Sequence, residues 1–227
     1  MTPKSARIRL DQVQARIRDA CRRAGRAPDS VRLVAVSKTR GPEAVRTLHA
    51  AGVKAFGENY ASEATTKIAA LTDLAIEWHF IGPLQSNKTR IVARDFDWVQ
   101  SVDRLKLVRR LGMHRSPQRP PLQVLIQVNI DDEAGKAGCH PEQIQTLAEA
   151  ITAESRLQLR GLMAIPAPAA AGADPESFRR MHECFDRLAR QFPGVDTLSM
   201  GMSADLEAAI EAGSTMVRVG TALFGPR

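Results

Sequence analysis

The chain has 227 residues, is 44% hydrophobic and 25% charged, and carries a formal charge of +7; it is long enough for one well-buried core and too apolar to be disordered. Cys21, Cys139 and Cys184 are odd in number and form no CxxC pair, which argues against a disulfide framework or a zinc site. The start MTPKSARIRLDQVQARI holds no apolar signal core and no run reaches bilayer length, so a cytoplasmic protein with no membrane contact is expected.

Leu10, Val13, Ile17 and Ala20 recur at helical spacing, which predicts an amphipathic helix from about Ser5 to Gly25. Residues 1–28 read as this helix and its exit, packed on a barrel formed by 29–227. VRLVAVSK follows as a strand, and GPEAVRTLHAAG as a helix with Pro42 at its start and Gly52 at its end. The alternation continues with KAFGEN and a helix near Tyr60, IEWHFIGP and a helix after Ser86, then FDWVQSVD and the helix Arg104 to Leu111. LQVLIQVNI pairs with the helix Pro141 to Ala153, LQLRGLMAIP with Pro175 to Phe192, and VDTLSM with Ser203 to Ala212, before the last strand TMVRVG. Ala164 to Ala173 reads as a surface loop of low complexity.

Eight apolar strands separated by amphipathic helices predict a single α/β (β/α)8 barrel of TIM type with an extra N-terminal helix. An open doubly wound sheet competes, but VSKTRGPEA after the first strand has no GxGxxG. The positive charge invites a nucleic-acid reading. It concentrates in Arg7, Arg9, Arg16, Arg18, Arg22, Arg23 and Arg26 of one helix and Arg104, Lys106, Arg109 and Arg110 of another. Aromatic residues are only 4% and do not alternate with them, so solvated helix faces are expected and no nucleic-acid partner.

Reactive groups in such barrels come from the carboxyl ends of the strands. Those ends carry Ser37, Lys38 and Thr39; Glu58 and Asn59; Asn129; Met163; Met200 to Ser203; and Arg218, Gly220 and Thr221. Lys38 follows an apolar run and should be partly withdrawn from water, which favours the neutral amine that Schiff-base chemistry needs; the alternative is a lysine that reaches solvent from a strand end. The last two loops suit an anion, with Gly201 allowing close approach, Ser203 as an N-cap hydroxyl and the amides of Gly220 and Thr221. Ser203, Asp205 and Glu207 also fit an ordinary helix start. Arg218, among Met216, Val217 and Val219, needs a partner, and an ion pair with Glu58 or Asp205 is the structural alternative. His79, between Trp78 and Phe80, reads as a hydrogen-bonded core histidine, and no cluster has metal-site spacing.

The motifs VSKT, GENY, EWHFIGPLQSNK, RGLMAIP, TLSMGMS and GSTMVRVGTALFG, between Val31 and Gly225, resemble the pyridoxal-phosphate homeostasis proteins, whose fold is similar to the N-terminal barrel of alanine racemase. The resemblance implies that pyridoxal 5′-phosphate (PLP) is held as a Schiff base on Lys38, with Ser203, Gly220 and Thr221 at its phosphate. Asn59 and Met200 would line the pocket, Arg218 would face the pyridine nitrogen, and Lys136 in GKAG would be a second lysine that helps hold or transfer cofactor, unless it is a solvated loop residue. An arginine at the ring nitrogen leaves a weaker electron sink than a carboxylate does. A non-catalytic cofactor carrier that supplies apo-enzymes and works as a monomer is therefore expected. A minimal amino-acid racemase and a basic RNA-binding protein are the alternatives.

Overall fold

A computed structural model of the chain describes residues 1–166, 168–169, 172–173 and 175–225. The first helix, α1 (Pro3–Arg23), begins with a capping box between Thr2 and Ser5 and with proline in its first turn. Its stripe of Ala6, Leu10, Val13, Ile17 and Ala20 is buried, and Gly25 ends it in the left-handed region at φ 65°.

Eight strands then close into one parallel barrel: β1 (Arg32–Val36), β2 (Ala55–Glu58), β3 (Glu77–Phe80), β4 (Trp98–Val102), β5 (Leu122–Val128), β6 (Leu157–Ala164), β9 (Thr197–Ser199) and β10 (Met216–Val219). Around the wall the order is β1, β10, β9, β6, β5, β4, β3, β2, so β5 lies diametrically across from β1. The helices between them are α2 (Pro42–Ala50), α3 (Ala61–Ala69), α4 (Thr89–Asp95), α5 (Leu105–His114), α6 (Ile144–Thr152), α7 (Pro175–Gln191) and α8 (Leu206–Glu211). A short α9 (Thr221–Phe224) follows the last strand.

Period two along each strand divides the core in two. One set, with Ala35, Phe56, Val99, Val124, Leu198, Val217 and Val219, packs in the layer under the helices. The other, Val34, Ala55, Trp98, Leu125, Met163 and Met216, fills the barrel interior. Gly161, at φ 144°, lets β6 and β9 approach: a Cβ there would stand 2.0 Å from the Thr197 carbonyl oxygen.

Several elements differ from the sequence expectation. The helices after Ser86 and Pro141 each open with a 3-10 turn, Ser86–Lys88 and Pro141–Gln143. The expected loop at 164–173 begins with the last residue of β6 and contains a two-stranded antiparallel ribbon, β7 (Pro168–Ala169) with β8 (Gly172–Ala173); Ala167, Ala170 and Ala171 lie outside the described residues. Three arginines of α1 and its exit have protein partners and are more than solvated surface. Arg16 grips Glu207 through two bonds of 2.6 and 2.8 Å, Arg23 pairs with Glu211 at 2.6 Å, and Arg26 caps the carbonyls of Ile210 and Ser214 at 3.0 and 2.7 Å. These contacts fasten α1 to α8 and its exit. Among the described residues no helix is long and apolar enough to cross a membrane.

Candidate functional site

The wall order places β9, β10, β1 and β2 side by side, so the residues that follow them share one arc of the carboxyl rim. Lys38 continues the inward alternation of Val34 and Val36 and is half-buried. Gly220 stands against the same strand, because a Cβ on it would meet the Val36 carbonyl oxygen at 3.4 Å. Asn59 continues the inward positions of Ala55 and Gly57, and its Oδ1 is buried without a hydrogen-bond partner among the described residues. Arg218 shares the inward set with Met216 and is 3% exposed.

The backbone on both sides of Lys38 is pinned. Ser37 donates its N–H to the Gly57 carbonyl at 2.9 Å and its hydroxyl to Glu58 Oε1 at 2.5 Å. The Lys67 ammonium reaches the Ser37 carbonyl at 2.8 Å, Glu58 Oε1 at 2.5 Å and Glu63 Oε1 at 3.1 Å. Thr39 sits in the left-handed region at φ 62°, and its N–H donates to Glu63 Oε1 at 2.8 Å, a local cost that the surrounding bonds hold in place. Burial pushes the Glu58 carboxyl upward against the opposing pull of Lys67 and Ser37.

On the other side of Lys38 the last two loops are tied together. The Ser203 hydroxyl accepts the Ala222 N–H at 3.4 Å, while its carbonyl accepts Arg16 at 2.9 Å. Ser203 is not a helix cap: α8 starts three residues later, after Asp205. Hydrogen bonding by Arg16 holds the Glu207 carboxyl below its ordinary range. Gly201, at φ 95°, passes too close to Ala209 for a side chain, since a Cβ would approach within 2.6 Å of the Ala209 Cβ. Gly220 is different, because its Cβ would meet only ordinary contacts. Nothing inside the chain demands glycine there, and the position is open to an outside group.

Arg218 makes neither of the expected ion pairs. Its guanidinium donates to Ser199 Oγ at 2.6 Å and to the Ala164 carbonyl at 2.8 Å. Burial pushes it down to about 10, with Asp205 opposing, so it stays cationic near neutrality. Met200 is wholly buried and packs with the outer layer; its side chain stands behind the rim instead of in it. Lys136 follows β5, across the mouth from Lys38, and is ion-paired with Glu133. The anchoring contacts of Lys67, Ser199 and Arg16 are not expected from the sequence. Only Glu63 and Lys67, four apart on one helix, left a signal there.

A buried amide oxygen with no donor is costly unless a ligand or water completes it. Together with an inward lysine, a buried guanidinium and a glycine open to approach, Asn59 gives a mouth suited to a small anionic molecule with an aldehyde and a hydrogen-bond donor. A phosphorylated hydroxypyridine aldehyde has those groups. The residues present fit PLP on that ground.

The family model described as alanine racemase, N-terminal domain, matches residues 8–227. The pyridoxal phosphate homeostasis protein of Pseudomonas aeruginosa is 56% identical over 219 residues, which cover 96% of this chain and 94% of that one. Its namesake in Escherichia coli is 50% identical over 222 residues, covering 96% and 95%. Among solved structures, PipY of Synechococcus elongatus with PLP bound is 35% identical, with a TM-score of 0.83 over 97% of this chain and 100% of that chain. An alanine racemase of Clostridium difficile shares the fold at 13% identity and a TM-score of 0.71, covering 99% of this chain and 57% of the racemase.

Proposed function

The chain belongs to the alanine racemase N-terminal-domain family, and from that premise we propose that it is a PLP-binding protein of cofactor homeostasis, holding PLP as a Schiff base on Lys38 and releasing it to apo-enzymes. The observation that carries the reading is the shared arc of Lys38, Asn59, Arg218 and Gly220 on adjoining strand ends. Relatives at 50–56% identity named for this role support it, as does the PLP-bound PipY.

When bound, the cofactor supplies an aldehyde carbon that an amine can hold covalently and reversibly. Lys38 offers the amine, on a backbone that Ser37 and Thr39 keep from shifting. Ser203, Gly220 and Thr221 would take the phosphate, with Arg16 holding the Ser203 carbonyl from behind. Asn59 Oδ1 would accept the ring hydroxyl. Arg218 would donate to the ring nitrogen without giving up a proton, which leaves the ring a weak electron sink and disfavours carbanion chemistry. A transfer role for Lys136 would first require it to leave Glu133. On this reading the protein is a carrier without turnover.

Titration with PLP tests this. The wild type should develop the absorbance of a lysine-bound aldehyde and Lys38→Ala should not, while L-alanine added to the loaded protein should yield no D-alanine. A wild type that stays colourless, or efficient racemisation, overturns the proposal.

A further inference from the structure

The barrel interior contains a chain of polar groups that the site does not explain. Arg218 donates to Ser199 Oγ, Ser199 donates its own proton to Gln100 Oε1 at 2.7 Å, and Gln100 Nε2 lies 2.9 Å from His79 Nδ1. His79 Nε2 lies 2.6 Å from Glu77 Oε1, which also accepts Arg32 at 2.5 Å. Ser199, Gln100 and His79 are all wholly buried. The chain starts at the carboxyl rim and ends at Glu77, at the amino end of β3, where Glu77 lines a cavity of about 470 Å³.

With the Gln100 amide in this orientation the bond directions follow. A guanidinium only donates, so Ser199 accepts from Arg218, and its single proton goes to the Gln100 oxygen, which can only accept. The amide N–H₂ then faces Met216 Sδ at 3.2 Å and His79, where Nδ1 accepts. The His79 proton then sits on Nε2, pointing at Glu77. Burial pushes the imidazole down, against the pull of Glu77, which keeps it neutral. The Trp98 ring, stacked on His79 with centroids 5.2 Å apart, holds the imidazole plane. A barrel filled with apolar side chains would be no less stable than one with a buried polar file, so stability does not account for these groups.

We propose that Gln100, locked by His79 and acting through the Ser199 hydroxyl, is a positioning residue for Arg218: it fixes which donors of the guanidinium remain free and aims them at the ring nitrogen of a cofactor in the mouth. The inference rests on the PLP reading above and adds to it residues that never touch the cofactor. Without an acceptor at Gln100 the Ser199 proton has no place to go, the serine oxygen turns away, and Arg218 keeps only the Ala164 carbonyl. Ser199→Ala deletes the link, Ser199→Thr preserves it, and Gln100→Leu removes the next one.

The test measures PLP affinity and the absorbance maximum of the bound cofactor for wild type and the three variants. Ser199→Ala and Gln100→Leu should each bind roughly tenfold more weakly, the loss of about one charge-assisted hydrogen bond, with a displaced maximum. Ser199→Thr should restore both. A purely structural role would lower the melting temperature while affinity and spectrum stay put, and wild-type values in Ser199→Ala would overturn the proposal even if Gln100→Leu failed to fold. A cofactor-free readout separates this from the PLP reading. Nitrogen NMR of His79 in the unloaded protein should show Nε2 protonated and Nδ1 bare, and the opposite tautomer or an imidazolium would overturn the relay whether or not the wild type takes up PLP.

Discussion

Removing the Lys67 ammonium would strand the Glu58 carboxyl, which is wholly buried and has a second oxygen without a partner among the described residues. Breaking one side of a buried pair costs far more than replacing both. Lys67→Met should therefore lower stability in urea by about 3 kcal/mol, and the double variant Glu58→Gln/Lys67→Met should recover most of it; a single-variant loss under about 1 kcal/mol would contradict the clamp. Lys38 and Arg218 stand out in the sequence because one directly follows an apolar strand and the other interrupts one, at the end where barrel chemistry occurs. Lys67 does not, since a lysine near the end of a short helix looks the same whether it points at water or at three acceptor oxygens. Gln100 and Ser199 were hidden for a related reason: strand parity shows which residues face inward, and only three-dimensional register brings three strands' polar positions into contact.

Two glycines, one in β6 and one after β10, meet different surroundings. Gly161→Ala would drive a methyl into the Thr197 backbone, which cannot swing aside, and should cost about 3 kcal/mol in thermal or urea unfolding. Gly220→Ala should leave the melting temperature near that of the wild type but weaken PLP binding, because the methyl fits the chain and obstructs the phosphate. A fully stable, tightly binding Gly220→Ala would remove that loop from the site. Strand and helix order could be read from apolar periodicity and from Pro42, Gly52 and Pro175 at helix ends. The 3-10 openings, the late start of α8 and the four-residue α9 could not, since bonds from distant residues, such as Arg16 to the Ser203 carbonyl at 2.9 Å and Arg110 to the Ser86 carbonyl at 2.8 Å, act there beside local preference. The arginine-rich face of α1 was misjudged because composition does not reveal that α8 presents Glu207, Glu211 and open carbonyls to it.

At the amino end of the barrel, Glu77 is held by His79 and paired with Arg32. Burial alone would raise the Glu77 carboxyl, but the hydrogen bond from His79 and the charge of Arg32 hold it below its ordinary value of 4.5. A depressed acid stabilises the fold fully above its ordinary value and loses that contribution as pH falls. Stability should thus drop as pH falls below about 4.5, and Glu77→Gln should be less stable at neutral pH yet flatter in acid; parallel melting curves for the two proteins would contradict it. The central claim, that one amine at the rim holds the cofactor, is tested most directly by loading the protein with PLP, reducing with borohydride, and locating the added mass by peptide mass spectrometry. A single modified peptide carrying Lys38 is the predicted result. An adduct on Lys136 or Lys67 instead, or no adduct at all, would contradict the account.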